Sequence, residues 1–198
     1  MKKRQAKVTR NTKETKINIE LSLDGQGDYR IKTGIPFLDH MFSLFAKHSL
    51  FDLKIIAEGD QEVDDHHLVE DIGITLGEAL KQALGNKLGI NRYGFALVPM
   101  DEVLSEVVVD LSGRAYFHYG LQVTLLGHDK EFDYTLLEHF FRSFAASGEL
   151  NLQINLRSGS KDNHHIFESV FKGLAKALTM AVSINHRVKS IPSTKGKL

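Results

Sequence analysis

Cysteine is absent from all 198 residues. The chain therefore forms no disulfide and offers no thiolate to a metal. Any metal centre must be built from imidazole and carboxylate, donors that favour Mn, Fe, Zn, Co or Ni over thiophilic ions. Net charge is missing too, because 25 basic side chains face 25 acidic ones. An extended nucleic-acid surface needs a basic excess or aromatic–basic interleaving, so no nucleic-acid partner is expected. No apolar run is long enough to span a bilayer, so no membrane partner is expected either. The first residues, Met1–Arg4, are basic but lead into Gln5-Ala6-Lys7-Val8 instead of a signal-peptide core. These features predict a cytoplasmic, globular chain.

Histidine is the residue in excess, with ten copies. Their clustering exposes an internal repeat. Phe37-Leu38-Asp39-His40-Met41-Phe42 resembles Leu136-Leu137-Glu138-His139-Phe140-Phe141, at an offset of 139 − 40 = 99. Asp64-Asp65-His66-His67-Leu68-Val69-Glu70 resembles Asp162-Asn163-His164-His165-Ile166-Phe167-Glu168, at an offset of 164 − 66 = 98. One single-residue indel reconciles both blocks. The chain thus divides into a first half, 1–90, and a duplicate, 91–198, whose end is a polar tail. The turn-rich stretch Gly85–Asn91 joins them.

Apolar periodicity predicts similar elements in each half. In the first, strands fall at Lys16–Leu23, Tyr29–Lys32 and Phe51–Glu58, with Asp24-Gly25-Gln26-Gly27-Asp28 as a hairpin turn between the first two. Helices fall at Phe37–His48, entered through Pro36, and from a cap at Asp64 to about Leu84. In the second, strands fall near Tyr93–Pro99, Glu102–Leu111, Ala115–Val123 and Leu150–Arg157, and helices at about Asp133–Ser147 and Asp162–Ser183. The fold class is α+β: a duplicated half-domain, each half a four-stranded sheet with two helices. The four helices form a central layer sandwiched between the two sheets.

The chemistry-bearing pattern is His-His-x-x-Glu, present twice. On a helix, positions i, i+3 and i+4 share a face, so Glu70 can join His66 or His67, and Glu168 can join His164 or His165. Adjacent histidines diverge by about 100° around the helix axis and suit two different ions better than one. His40 and its copy His139 supply the third nitrogen of each set. Two ions would each receive three histidines and one glutamate, leaving open positions for substrate. His48, His118, His128 and His186 have no duplicated partner and are taken as ordinary histidines. Asp64, Asp65 and Asp162 are taken as helix caps.

At these residues the chain resembles imidazoleglycerol-phosphate dehydratases. The resemblance rests on Phe37–Met41, Asp64–Asp71, Asp110-Leu111-Ser112-Gly113-Arg114, Asn163–Glu168 and Pro192-Ser193-Thr194-Lys195-Gly196. It implies a fold like that of ribosomal protein S5 domain 2, in the monofunctional form without a phosphatase domain. It implies two Mn2+ ions, held by His40, His66, His67, Glu70, His139, His164, His165 and Glu168. It implies a shell of 24 subunits with active sites between subunits. Substrate contacts are implied at Glu14, His40, Arg92, Arg114, Lys172, Ser193 and Lys195, and catalytic roles at Glu14, His66, Glu70, His164 and Glu168. Family members commonly carry Gln where this chain has Leu44, so the contact made there is lost.

The implied reaction turns imidazole-glycerol phosphate into imidazole-acetol phosphate in histidine biosynthesis. The departing proton is poorly acidic, so the imidazole ring must serve as the electron reservoir. A ring held as imidazolate between two ions can expel the adjacent hydroxyl as a diazafulvene forms. A two-metal hydrolase of a small phosphorylated substrate is the rival enzyme, and a metal-stabilised shell without turnover the non-enzymatic one. Nothing in the sequence chooses among Glu14, Glu70, Glu168 and a metal-bound water as the proton carrier.

Overall fold

A computed structural model describes residues 3–60, 62–121, 132–159 and 162–198. The first half runs β1 (Gln5–Asn11), β2 (Thr15–Ser22), β3 (Tyr29–Lys32), α1 (Pro36–Ser49), β4 (Asp52–Gly59) and α2 (His66–Leu84). The second repeats it as β5 (Tyr93–Met100), β6 (Val103–Asp110), β7 (Tyr116–Gly120), α3 (Leu136–Ser147), β8 (Asn151–Ser158) and α4 (Asn163–Val182). The sheets have matching strand orders, β1-β2-β4-β3 and β5-β6-β8-β7. In each, the last two strands in that order are parallel and the other pairs antiparallel. Duplication is therefore visible in topology as well as in sequence.

Alternation sets which face each strand buries. Ile17, Ile19 and Leu21 of β2 turn inward, while Lys16, Asn18 and Glu20 lie on the other side. The helices fill the space between the sheets, and they pair across the halves: α1 packs on α4, and α2 on α3. Phenylalanines seal this seam, with the ring of Phe42 5.4 Å from that of Phe140 and 5.8 Å from that of Phe171. Gly73 and Gly77 let α2 touch the backbone of α3. A Cβ at either would sit 2.6 Å from the carbonyl oxygen of Phe140 or Phe144. This cross-pairing brings motifs from different halves together.

Two expectations are corrected. No hairpin joins β2 to β3, because β4 lies between them and pairs with both. The Asp24–Asp28 turn instead folds over the start of β4, where the Asp52 carboxylate accepts from the Gln26 and Asp28 amides. β3 reaches β4 in parallel through the α1 crossover, so the place beside β2 falls to β4. Strand β1 was not read from the sequence: it is an edge strand whose one buried residue is Val8. Pro36 does open α1, and Asp162 caps α4 by accepting from the His164 and His165 amides. The Asp64 carboxylate accepts from the His66 amide at the start of α2. Of the expected strand Ala115–Val123, residues 122 and 123 fall outside the described residues, as does His128.

The inter-half linker and the tail are stitched together. Ile90 bridges Ile184, the Gly89 amide donates to Ser190, and the Arg92 amide donates to Ala181. This places residues 185–198 against the entrance to β5.

Candidate functional site

The α1–α4 pairing assembles one donor cluster. His40 Nε2 lies 3.9 Å from Glu168 Oε2, and His164 Nε2 lies 3.4 Å from the same oxygen. The two imidazoles stack with centroids 5.6 Å apart. Their three ligand atoms all fall within 4.8 Å of one another, close enough to converge on one ion. Lys172 holds the other carboxylate oxygen, Nζ to Oε1 being 2.6 Å. Burial by itself would raise the pKa of Glu168. The Lys172 bond and charge, with His40 and His164, outweigh it and leave the carboxyl below its ordinary value. Glu168 is therefore kept as an anion with one oxygen turned to the histidines.

The α2–α3 pairing builds the pseudo-symmetric counterpart. His66 meets His139 at 4.4 Å between ring centroids, and Glu70 accepts from Ser143 Oγ at 3.3 Å. A cavity of about 440 Å³ opens beside His66, lined by Asp64, Asp65, Asp133 and Leu136. Its acidic walls suit a cation. A larger hollow of about 620 Å³ lies against sheet residues such as Lys7, Glu20, Tyr29 and Lys54 and contains none of the candidate residues.

His67 and His165 join neither cluster. His67 Nδ1 faces Asp60 at 3.1 Å, with Glu14 4.0 Å away. His165 Nδ1 faces Glu102 at 3.3 Å, with Asp101 3.9 Å from Nε2. Bonds to Asp60 and Glu102 lead in raising the two imidazole pKa values. A carboxylate at Nδ1 fixes the tautomer and leaves the Nε2 lone pair as the metal donor. Within one chain the α1–α4 cluster thus holds two histidines and a glutamate, the α2–α3 side pairs His66 with His139 while Glu70 meets Ser143, and the third histidine of each half faces elsewhere. His66 turns to His139 and His67 to Asp60, yet their two rings stay nearly parallel with centroids 6.1 Å apart.

The anion-binding candidates split into two groups. Lys172 sits at the His40–His164–Glu168 donor cluster, 3.7 Å from Met100 Sδ at the end of β5. Arg92 precedes the other end of β5. Eight residues of strand put roughly 25 Å between them. Arg92 grips Asp110 with two hydrogen bonds, 2.7 and 3.1 Å, and donates to Pro192 O at 3.0 Å. Its guanidinium so anchors the tail that carries Ser193 and Lys195. The tail's last residue, Leu198, reaches Gly113, next to the exposed Arg114. Arg92, Arg114, Ser193 and Lys195 gather at one end of the sheet, far from this chain's own Lys172. Leu44 packs against the core.

Sequence reasoning passed over Asp60, Glu102 and Lys87. Glu102 precedes β6 as Glu14 precedes β2, a correspondence seen only once the strand register is known. Lys87 is 6% exposed and donates to Leu111 O at 3.0 Å, beneath the turn that carries Arg114. Burial is the main cause of its lowered pKa.

Comparison with known proteins gives a consistent picture. The family model described as imidazoleglycerol-phosphate dehydratase matches residues 33–178. The imidazoleglycerol-phosphate dehydratase of Syntrophus aciditrophicus is 50% identical over 195 residues, covering 98% of each chain. That of Desulforamulus reducens is 50% identical over the full length of both chains. The crystal structure of the Staphylococcus aureus imidazoleglycerol-phosphate dehydratase superposes with a TM-score of 0.82 at 38% identity, covering 91% of this chain and 99% of that one. The Pyrococcus furiosus structure gives 0.83 at 38% identity, covering 96% and 100%.

Proposed function

Because the chain belongs to the imidazoleglycerol-phosphate dehydratase family, we propose that it is a hydro-lyase of histidine biosynthesis. It removes water from D-erythro-imidazole-glycerol 3-phosphate to give imidazole-acetol phosphate. One observation carries the reading at the level of residues: the cluster His40–His164–Glu168, built across the two halves, with the His66–His139 pair and Glu70 at the duplicated positions. Two such sets would hold two ions, enough to act on both nitrogens of an imidazole substrate. A hydrolase would need its ions about 3.5–4 Å apart and sharing a ligand, and no residue is common to the two sets.

The donor chemistry fits Mn2+, since imidazole nitrogen and carboxylate oxygen are present without sulfur. His40, His164 and Glu168, with His66, His139 and Glu70, would hold such ions, which would supply Lewis-acid stabilisation of charge developing on the substrate. The chain's own groups do the rest. Glu168 is occupied by Lys172 and two imidazoles, and Glu70 by Ser143. Glu14 is the least engaged of the three carboxylates, its side chain 55% exposed. We assign it the proton taken from the carbon next to the departing hydroxyl. The resulting enol ketonises to product.

A complete site needs more than one copy of the chain. Arg92 and Lys172 are too far apart in one chain to share a single phosphate, and His67 and His165 belong to neither cluster of their own chain. Both facts support active sites formed between subunits in a symmetric shell, the 24-subunit assembly of the reading above. No described helix is long and apolar enough to cross a membrane, in keeping with a cytoplasmic enzyme.

The test is incubation of the purified protein with imidazole-glycerol phosphate and Mn2+, following the ketone product. Chelation should abolish turnover and Mn2+ restore it. His40→Ala and His139→Ala should each lose about half of the bound metal, as expected for two ligand sets. Undiminished turnover after complete metal removal, or no ketone at saturating Mn2+, sinks the proposal.

A further inference from the structure

The turn that carries Glu14 is tied to helix α2 by a buried polar network. Thr12 Oγ1 accepts from the Glu14 and Thr15 amides at 3.1 and 2.9 Å. The Thr12 amide donates to Thr15 O, and the Asp60 amide to Glu14 O. The turn's threonine hydroxyls lie 3.1 Å apart, and Thr15 Oγ1 donates to Asp71 Oδ2 at 2.5 Å. Arg10 Nε lies 2.9 Å from Asp71 Oδ1 as an ion pair, its N–H not aligned for a hydrogen bond. Thr15 is 2% and Asp71 8% exposed. Asp71 directly follows Glu70, so a short chain of bonds runs from a metal-ligand helix to the Glu14 backbone.

The second half shows what the fold alone requires. Strand register sets Val98 in place of Arg10, Val103 in place of Thr15 and Glu102 in place of Glu14. The helix repeat sets Ser169 in place of Asp71, and Ser169 Oγ turns back to its own helix at Ile166 O. The same topology therefore stands without the carboxylate, the guanidinium or the threonine. A buried ion pair carries a desolvation cost that apolar residues avoid. This chain bears that cost only in the half whose turn presents Glu14.

We infer that Asp71 is a positioning residue for Glu14, acting through Thr15 and Thr12, with Arg10 holding the Asp71 carboxylate in place. The inference rests on the reading of Glu14 as the group that takes the substrate proton. Proton transfer depends on placement, and a displacement near 1 Å costs up to about a hundredfold in rate. Glu168 and Glu70 are held by different partners and do not depend on this network.

The experiment measures kcat, KM and metal content of the Mn2+-loaded enzyme. Asp71→Asn removes the charge at constant shape, and Thr15→Val removes the hydroxyl that reaches it. Each should lower kcat about ten- to a hundredfold, with KM and metal content close to wild type. Thr15→Ser should restore most of the rate. In a Glu14→Gln background, Asp71→Asn should cost no further kcat, because the group it positions no longer acts. An equal loss in both backgrounds, or loss explained by missing metal, overturns the inference. So does an impaired Glu14→Gln enzyme beside fully active Asp71→Asn and Thr15→Val, which leaves the reading of Glu14 standing. Full activity of Glu14→Gln removes that reading and the inference together.

Discussion

Gly94→Ala tests whether the donor cluster depends on how closely α4 lies on its sheet. Gly94 is buried in β5, and a Cβ there would sit 1.9 Å from Ala177 O and 2.9 Å from Ala181 N. Moving that contact from 1.9 to 3.0 Å separates sheet and helix by about 1.1 Å in an interior packed like a crystal. Both contacting groups are backbone, so no rotamer change relieves the clash. Overpacking of this kind costs about 1–3 kcal/mol, and the rigid partners put this case at the upper end. For a chain of this size that is roughly 6–12 °C in Tm, read at fixed protein and metal concentration. Ala177 lies nine residues beyond Glu168, about 13 Å along the helix. The push therefore tilts the helix that presents His164, Glu168 and Lys172. Metal bound by the His40 cluster should weaken, while the His66–His139 cluster on α2 and α3 keeps its ion. The first half supplies the control, since its register counterpart is Ala6, which already carries a Cβ. Calorimetry with an equilibrium Mn2+ titration reads both effects. A Tm within about 2 °C of wild type, less than 1 kcal/mol by the same scaling, together with two intact metal sites, would refute the reasoning.

Three further outcomes are expected. Ser143→Ala removes the hydroxyl at Glu70 and should weaken Mn2+ about tenfold at the α2–α3 centre only, as loss of a ligand's supporting hydrogen bond does; equal weakening at both centres in the titration would contradict this. Asp110→Asn breaks the two-pronged, half-buried pair with Arg92, for about 2 kcal/mol, between the surface and buried cases; the Pro192–Leu198 tail should become protease-sensitive and KM should rise with little change in kcat. Lys87→Met strips Leu111 O of its donor, a loss of about 1–3 kcal/mol partly offset by removal of a buried charge. Because burial lowers the Lys87 pKa from 10.5, the unfolded chain holds more protons in the window just below 10.5, and wild-type stability gains from this group as pH rises through it. Urea titrations between pH 7 and 10 should show the variant's deficit growing with pH, and a constant deficit would contradict the assignment.

Much of the site was legible because its signals are local. A histidine pair three residues before a glutamate states a helical face wherever the helix lies, and its copy 98 residues on states the duplication. The helices were legible for the same reason, being long and periodic. Partnership across the sheet was not. The Asp24–Asp28 turn carries every residue a hairpin wants, yet Asp52 recruits its amides, and β4 takes the place beside β2 that β3 was expected to fill. Strand β1 escaped notice because an edge strand with one buried valine has almost no apolar alternation to display. Nor could spacing reveal that His67 turns to Asp60 and His165 to Glu102, since their helix faces are shared with Glu70 and Glu168 and only the neighbouring loops decide the outcome.

The duplication explains why the same donor residues recur in both halves, and its divergence explains why their supports differ. Cross-pairing of α1 with α4 and α2 with α3 makes each cluster from one helix of each half, so the repeat builds two donor sets by symmetry. The supports around them have drifted apart. Glu168 is held by Lys172, and the repeat places Ile74 at the corresponding position beyond Glu70. Conversely, Glu70 is held by Ser143, whose counterpart near Glu168 is Leu44. One carboxylate therefore carries a cation at its back and the other a hydroxyl. An ammonium draws charge from a carboxylate more strongly than a neutral hydroxyl does, so Glu168 would offer an ion the weaker donor oxygen and Glu70 the stronger.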